Sequence, residues 1–385
     1  MSNQKHTGAM LIACISFLAL GMVTAALGPA LPDLAARTGS SLAAVGSLFT
    51  AIFLGALLSL SAAGAITDRF GQAPVLLAGA LLTGLSTVAF TLTTSLPAML
   101  ALAMLTGVGH GAVDIAATIL IARLFAERTV SALNLLNVFF GAGAIAGPAA
   151  ASLTMRLWGT GLSGLWLGAG LMFLTALLVP LLPRRAGAPA TVSAASGARA
   201  VLRSPLAWSF GLLLLLYVGA EQGVSGWATA YMSQTTTLDQ AQAALITSAF
   251  WLALTAGRLL AAALGYRLSP DRLLRLFLAG AAAGAVALPL STGSTLFSVA
   301  AILLLGLSFG PIFPTAVGIV TLRFPQAPGT AGSLVIALGC IGGALLPWTQ
   351  GALMVGAGPR ASVSLVAAGA LAMLLLQRLI SQKSA

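Results

Sequence analysis

Two acidic side chains interrupt the long apolar segments of this sequence, and they are its main candidates for chemistry. Asp114 lies in GVGHGAVDIAAT, residues 107 to 118, four positions after His110, so both side chains lie on one face of a helix. Glu221 lies in YVGAEQGVSGW, residues 217 to 227. A charge at the centre of a bilayer costs at least ~2.5 kcal/mol, so a deep acid faces a cavity or a partner. A carboxyl group at either place can bind and release a proton, which His110 could tune or relay.

Amides and aromatic rings in the same segments could recognise a polar solute. Asn134 and Asn137 are three residues apart and lie on one helix face, and an amide both donates and accepts hydrogen bonds. They could equally bond neighbouring helices to each other. The further side chains that could contact a solute, or alternatively pack between helices, are Gln222, Phe139, Phe140, Tyr217, Trp227 and Trp251.

The elements that carry these residues are membrane-spanning helices. The chain has 385 residues, of which 59% are hydrophobic and 6% charged, and its mean hydropathy is +1.03. Apolar segments long enough to cross roughly 30 Å of hydrocarbon recur along nearly the whole chain. Their backbone groups must be paired within the segment, so each segment is a helix. The sequence predicts an all-α membrane protein with twelve transmembrane helices.

One long polar stretch divides the twelve segments into two sets of six. Residues 183–204, PRRAGAPATVSAASGARAVLRS, are rich in Ala, Ser, Gly and Arg and predict a cytoplasmic linker or a surface helix. The sequence therefore predicts an N-terminal six-helix bundle in residues 1–182 and a C-terminal six-helix bundle in residues 205–385.

The basic residues predict the orientation in the membrane. The net charge is +11, but the Lys and Arg residues stand singly at segment ends, which indicates topology and excludes a nucleic-acid partner. With both termini cytoplasmic, all but three of the 18 Lys and Arg residues lie on the cytoplasmic side, the exceptions being Arg37, Arg156 and Arg360. This bias predicts a multi-pass protein of the inner cell membrane.

Catalytic and metal-binding classes find no support in the sequence. Two histidines, His6 and His110, and two distant cysteines, Cys14 and Cys340, cannot form a metal-ligand cluster. No phosphate-binding glycine loop, dinucleotide fingerprint or nucleophile elbow is present. We therefore expect no enzyme activity, no metal and no cofactor.

Several stretches resemble the major facilitator superfamily. GAITDRFG carries Gly64, Asp68, Arg69 and Gly71 in the spacing of that superfamily's signature loop after the second span. Four longer stretches resemble one branch of it, the fucose:proton symporter and its glucose-transporting relatives: LNLLNVFFGAGAIAGP at 133–148, YVGAEQGVSGW at 217–227, FWLALTAGR at 250–258 and GPIFPTAVGI at 310–319. The resemblance implies two six-helix halves around a central cavity, in a chain that acts as a monomer.

The resemblance also implies roles for individual residues. Gly111-Ala-Val-Asp114 fits the pattern of a fourth-span acid linked to proton coupling, although Thr118 stands where the branch often has asparagine. Glu221 resembles an acid that faces the central cavity in the glucose-transporting relatives. The signature loop implies contacts that form when the cytoplasmic side is shut. Independently of the resemblance, Arg258 at the cytoplasmic end of the eighth span could neutralise an anionic substrate or a carboxylate, but its depth favours a gate or topology role.

Glycine and proline positions predict local departures from regular helices. Gly219, Gly223 and Gly226 would allow the seventh span to break. Pro311 and Pro314 would kink or open the tenth span. The glycines at 143 and 147 would let a neighbouring backbone approach the fifth span closely.

These features lead to a functional expectation with two alternatives. We expect a secondary active transporter that works by alternating access and couples uptake of a sugar or similar polar solute to protons, with sodium as the alternative coupling ion. A proton-driven exporter of drugs or other amphiphilic solutes would have the same fold. A membrane receptor that binds a solute without moving it is the alternative from another class, and it would need a signalling domain that the sequence does not show.

Overall fold

The protein is helical almost throughout. The computed structural model describes residues 2–182 and 195–382, and no β-strand occurs in those two stretches. Twelve of the described helical segments are long and apolar enough to cross a membrane, which confirms the predicted fold class. The chain divides into two compact units, residues 1–190 and 191–385. Of the predicted linker, residues 183–194 lie outside the described part, and a short helix occupies most of the rest.

The N-terminal unit contains six long helices. Inside it α1 packs against α5 and α6, while α4 packs against α2 and α3. The helices are α1 (Ser2–Thr38), α2 (Leu42–Phe70), α3 (Gln72–Leu92), α4 (Leu96–Leu124), α5 (Thr129–Trp158) and α6 (Ser163–Leu178).

Small residues bring α1 and α5 into close contact. A side-chain carbon at Gly143 of α5 would collide with the backbone oxygen of Leu18, and one at Gly147 would lie 2.8 Å from the backbone oxygen of Met22. The predicted close approach at these two glycines is confirmed. Van der Waals packing of this kind holds helices together in lipid, where burial of apolar side chains between them gives little net gain.

The C-terminal unit is arranged around one long helix, α8. This helix packs against α9, α13 and α14 and also contacts α11 and α12. The helices of the unit are α7 (Ala195–Arg203), α8 (Pro205–Thr235), α9 (Gln240–Leu264), α10 (Pro270–Leu290), α11 (Thr295–Phe309), α12 (Ile312–Arg323), α13 (Pro328–Gly356) and α14 (Pro359–Gln382).

The seventh span does not break at its glycines, so that prediction is wrong. Helix α8 runs without interruption from Pro205 to Thr235. A side-chain carbon at Gly219 would lie 2.8 Å from the backbone oxygen of Gly342 in α13, and one at Gly223 would collide with the side chain of Gln350. The glycines therefore serve close packing of α8 against α13.

The tenth span is interrupted, as its prolines predict. Helix α11 ends at Phe309 and α12 begins at Ile312, so the interruption consists of Gly310 and Pro311. Both residues keep right-handed helical dihedral angles, so the interruption is a local loss of backbone hydrogen bonds. Proline has no N–H and leaves a carbonyl of the preceding turn without its usual donor.

Candidate functional site

Glu221 lies inside the C-terminal unit and is held by two neutral donors. Its side chain is 8% exposed. The hydroxyl of Tyr217, one turn earlier on α8, donates to Oε2 of Glu221, and Nε2 of Gln222 donates to Oε1 at 3.2 Å. Both carboxyl oxygens thus have a partner, as a buried acid requires. Sequence spacing explains the contact with Tyr217, because residues four apart on a helix lie side by side.

The positive charge of Arg258, on the neighbouring helix α9, acts on Glu221. The guanidinium of Arg258 in α9 acts electrostatically on both Glu221 and Tyr217. Nε of Arg258 also donates to the backbone oxygen of Gly310 at 3.3 Å, in the interruption of the tenth span. Arg258 was expected as a gate or a topology residue, or as a cation that neutralises a carboxylate or an anionic substrate. Its charge acts on Glu221, and its role as a gate stays a prediction.

The ring of Tyr217 contacts both sides of the same interruption. Tyr217 is 1% exposed. Its ring packs edge-on against Phe309 at a centroid distance of 5.6 Å and against Phe313 at 6.4 Å. Sequence reasoning missed both phenylalanines, because their contact with Tyr217 depends on how α8 packs against α11 and α12.

Two tryptophans proposed for solute binding are buried packing residues in this conformation. Trp227 is fully buried, and its indole N–H donates to the backbone oxygen of Pro347 at 2.8 Å. Trp251 is 1% exposed and donates to the hydroxyl of Ser225 at 2.9 Å. Each buried indole N–H has a partner, as burial requires. The role of these two residues in solute binding stays a prediction.

Replacing Trp251 should lower stability and leave solute affinity unchanged. Trp251→Phe removes the donor to Ser225 and a part of the buried ring, so we expect the free energy of unfolding to fall by about 1 kcal/mol or more. Thermal unfolding in detergent measures the loss. Trp348→Phe is the matched control, because Trp348 is 48% exposed, and it should change stability little. If Trp251→Phe kept full stability but bound the solute more weakly, the predicted role of Trp251 in solute binding would be supported instead.

Asp114 in the N-terminal unit has a hydrogen-bond partner in its own helix. The hydroxyl of Thr118, one turn further along α4, hydrogen-bonds to the Asp114 side chain. Asp114 and His110 are both partly buried on this helix. Close packing of α4 on α2 occurs beside them, where a side-chain carbon at Gly111 would lie 2.8 Å from Cβ of Ser59. The proton relay assigned to His110 stays a prediction.

The amides of the fifth span are exposed. Asn134 and Asn137 both have exposed side chains, and Nδ2 of Asn137 donates to the backbone oxygen of Leu133 in its own helix at 3.0 Å. Their role in solute binding stays a prediction. Phe140 is partly buried and packs against the core of the N-terminal unit.

The signature segment after the second span is mostly helical, which corrects its prediction as a loop. Helix α2 continues to Phe70, and Gly71 ends it with a φ of +88°, donating its N–H to the backbone oxygen of Thr67 at 2.8 Å. Only glycine adopts such a φ without strain, which explains the residue type. Gly64 lies within the helix, the guanidinium of Arg69 lies 5.2 Å from the centroid of the Phe70 ring, and the Asp68 side chain lies outside the described part of the structure.

No group of three or more His, Cys, Asp or Glu side chains that could hold a metal ion occurs within residues 2–182 and 195–382. Glu221 and Asp114 both lie away from the ends of a membrane-spanning helix, and each has a hydrogen-bond partner.

Comparison with known proteins places this geometry in a family. The family model described as Major Facilitator Superfamily matches residues 12–347. A crystal structure of the nucleoside transporter NupG superposes with a TM-score of 0.78 at 14% identity, covering 98% of each chain. The E. coli fucose:proton symporter FucP superposes with a TM-score of 0.66 at 18% identity, covering 96% of this chain and 98% of that one. At these identities the structures show a shared fold.

Curated relatives match shorter stretches. The 4-hydroxybenzoate transporter PcaK of Pseudomonas aeruginosa is 35% identical over 113 residues, which are 29% of this chain and 25% of that protein. The sodium-dependent glucose transporter 1 of Rattus norvegicus is 31% identical over 147 residues, 38% of this chain and 29% of that protein. The chain thus matches less than a third of the length of either relative.

Proposed function

We propose, since the chain belongs to the Major Facilitator Superfamily, that it is a secondary active transporter that couples uptake of a sugar or similar small polar solute to protons. The observation that carries the proposal is Glu221, a buried carboxyl group whose two hydrogen bonds come from neutral donors. Such a group can take up a proton while its neighbours only reorient, because the hydroxyl of Tyr217 can accept as well as donate.

A second deep acid supports the same proposal. Asp114 lies in the N-terminal unit with the Thr118 hydroxyl as its partner, so each unit holds an acid away from the ends of a membrane-spanning helix. Alternating access requires at least two conformations whose balance depends on what is bound. Proton occupancy of Asp114 and Glu221 would set that balance. We place the transporter in the inner cell membrane as a monomer with cytoplasmic termini.

The substrate class rests on the exposed amides and on the relatives. Asn134 and Asn137 can both donate to and accept from hydroxyl groups. The names of FucP and of the rat relative include fucose and glucose, which favours a sugar. The rat protein is also named as sodium-dependent, so sodium is the alternative coupling ion.

An aromatic carboxylate is the second candidate substrate. The specific observation in its favour is the 35% identity to a 4-hydroxybenzoate transporter. Arg258 is a partly buried cation in the eighth span, and a guanidinium pairs well with a carboxylate. A sugar transporter and an aromatic carboxylate transporter would have the same fold and the same direction of transport.

A ligand screen tests the proposed substrate class. Thermal unfolding of the purified full chain would be measured with pentoses and hexoses, aromatic carboxylates and cationic amphiphiles, because a ligand that binds only the folded state raises its stability. We expect a sugar to raise the unfolding temperature and to accumulate in liposomes under an inward proton gradient. Stabilisation by amphiphiles alone, with outward flux, would favour an exporter. A ligand that binds without any flux would favour a receptor.

A further inference from the structure

The interruption of the tenth span leaves the backbone carbonyls of Leu307 and Gly310 without their regular donors. In a regular helix these oxygens accept from the N–H groups of residues 311 and 314, but both are prolines and have none. Regular pairing resumes on either side, with Gly310 N donating to Gly306 O at 3.2 Å and Thr315 N donating to Pro311 O at 3.1 Å. In a membrane such freed carbonyls are paired by neighbouring helices.

Arg258 donates a hydrogen bond to the backbone carbonyl of Gly310. Its Nε lies 3.3 Å from the oxygen of Gly310. Close contact of the two helices makes this possible, since a side-chain carbon at Gly257 would collide with the backbone oxygen of Leu307, and one at Gly310 would collide with that of Leu254. Helix α9 therefore lies directly against the interrupted turn.

Glu221 and Arg258 meet at consecutive residues of the tenth span. Tyr217, which donates to the carboxyl group of Glu221, packs its ring on Phe309 and Phe313, and Arg258 pairs the carbonyl of Gly310, the residue after Phe309. The charge of Arg258 acts on Glu221 across this arrangement, at a separation longer than a direct ion pair.

Other charged groups lie on the helices packed against α8, but none of them is among the groups that act on Glu221. The groups that act on Glu221 are Tyr217, Arg258 and Gln222. The remaining titratable or charged side chains on described helices packed against α8 are Arg199, Arg203, Arg323, Cys340, Arg360 and Arg378.

We propose that Arg258 is a positioning residue that links the protonation of Glu221 to the interruption of the tenth span. A charged Glu221 holds Arg258 in place, and Arg258 in turn pairs the carbonyl of Gly310 and keeps the turn closed. When Glu221 is neutral, the attraction is lost, Arg258 moves towards water, and the unpaired carbonyl lets the turn open. This rests on the proposed proton coupling for its role in transport, but the link itself can be observed without a solute.

Hydrogen–deuterium exchange of residues 306–318 tests the link in the purified full chain, in nanodiscs without solute and at one pH. Glu221→Gln mimics the neutral acid, so we expect exchange in these residues to be roughly tenfold faster, the factor for loss of one hydrogen bond from a charged group. Arg258→Gln should have the same effect, and the double variant should be no faster than either. Arg258→Lys should restore slow exchange only in part, because an ammonium does not reproduce the planar fork of a guanidinium.

A proline replacement distinguishes the link from general loss of structure. Pro314→Ala gives Gly310 a donor within its own helix, so exchange should be slow, and adding Arg258→Gln or Glu221→Gln should no longer accelerate it. Pro289→Ala, inside α10, is the matched control and should leave the response to Glu221→Gln intact. Exchange of α14 reports global unfolding and should not change.

The outcomes separate the link from the proposed function. Unchanged exchange in Glu221→Gln, or equally fast exchange in Arg258→Gln with and without Pro314→Ala, would overturn the link. Altered exchange without any proton-coupled flux in liposomes would leave the link standing and contradict the proposed function.

Discussion

Glu221→Gln should abolish accumulation of solute against its gradient and leave exchange of solute across the membrane largely intact. A glutamine keeps the size of the side chain: its oxygen can accept from Gln222 and its NH2 can donate to the Tyr217 hydroxyl, which then accepts instead of donating. It cannot bind a proton, so the driving force is lost while the binding site stays. With one proton per solute, a gradient of one pH unit supports about tenfold accumulation, and the variant should only equilibrate. Uptake into liposomes with and without the gradient measures the effect.

The control for this prediction is another acid of the same unit. Asp239 caps the start of α9, where its side chain accepts from the N–H of Gln242. Asparagine caps a helix about as well, so Asp239→Asn removes one charge with little other change and should accumulate solute normally. Gradient-driven accumulation at the wild-type level in Glu221→Gln would remove this acid from the coupling mechanism.

Gly342→Ala should cause the largest loss of stability among small substitutions. Gly342 of α13 lies directly on the backbone of Leu215 in α8: a side-chain carbon would collide with the Leu215 oxygen and lie 2.9 Å from its Cα. The neighbouring atoms are backbone and cannot rotate away, so α13 must move from α8. Overpacking of this kind costs roughly 1–3 kcal/mol or more. Thermal unfolding of the full chain in detergent checks the result.

Gly356→Ala in the same helix provides the comparison. A side-chain carbon at Gly356 meets no atom within 4 Å, so this substitution should change the unfolding temperature little. Equal unfolding temperatures for Gly342→Ala and Gly356→Ala would show that the contact between α8 and α13 tolerates an added carbon.

The sequence was a good guide wherever one residue type has one physical consequence. Twelve long apolar segments are expected to be helices in a membrane, and the described part of the structure has twelve helical spans. Two prolines in the tenth span remove backbone donors, and the helix is interrupted there. Glycine is harder to interpret, because it can either break a helix or allow two helices to pack closely. Gly143 allows close packing, as expected. Gly219 was expected to break its helix, but it packs against α13 instead.

The candidate site was predicted less completely than the fold. Deep acids are rare in membrane helices, so Asp114 and Glu221 were identified by position alone. Their partners within one helix, Tyr217 and Thr118, follow from a spacing of four residues. The contact of Arg258 with Gly310 joins two spans that lie 52 positions apart in sequence, and nothing in the order of residues indicates it. Burial of Trp227 and Trp251 likewise depends on how the helices pack.

Proton movement caused by solute is the most direct test of the central claim. The full chain would be reconstituted in liposomes that contain a pH-sensitive dye, without an imposed gradient, and the stabilising solute would be added outside. The account predicts acidification of the interior with the wild type, and none with Asp114→Asn or Glu221→Gln at equal solute binding. Solute entry without any pH change in the wild type, or full acidification in both variants, would contradict it.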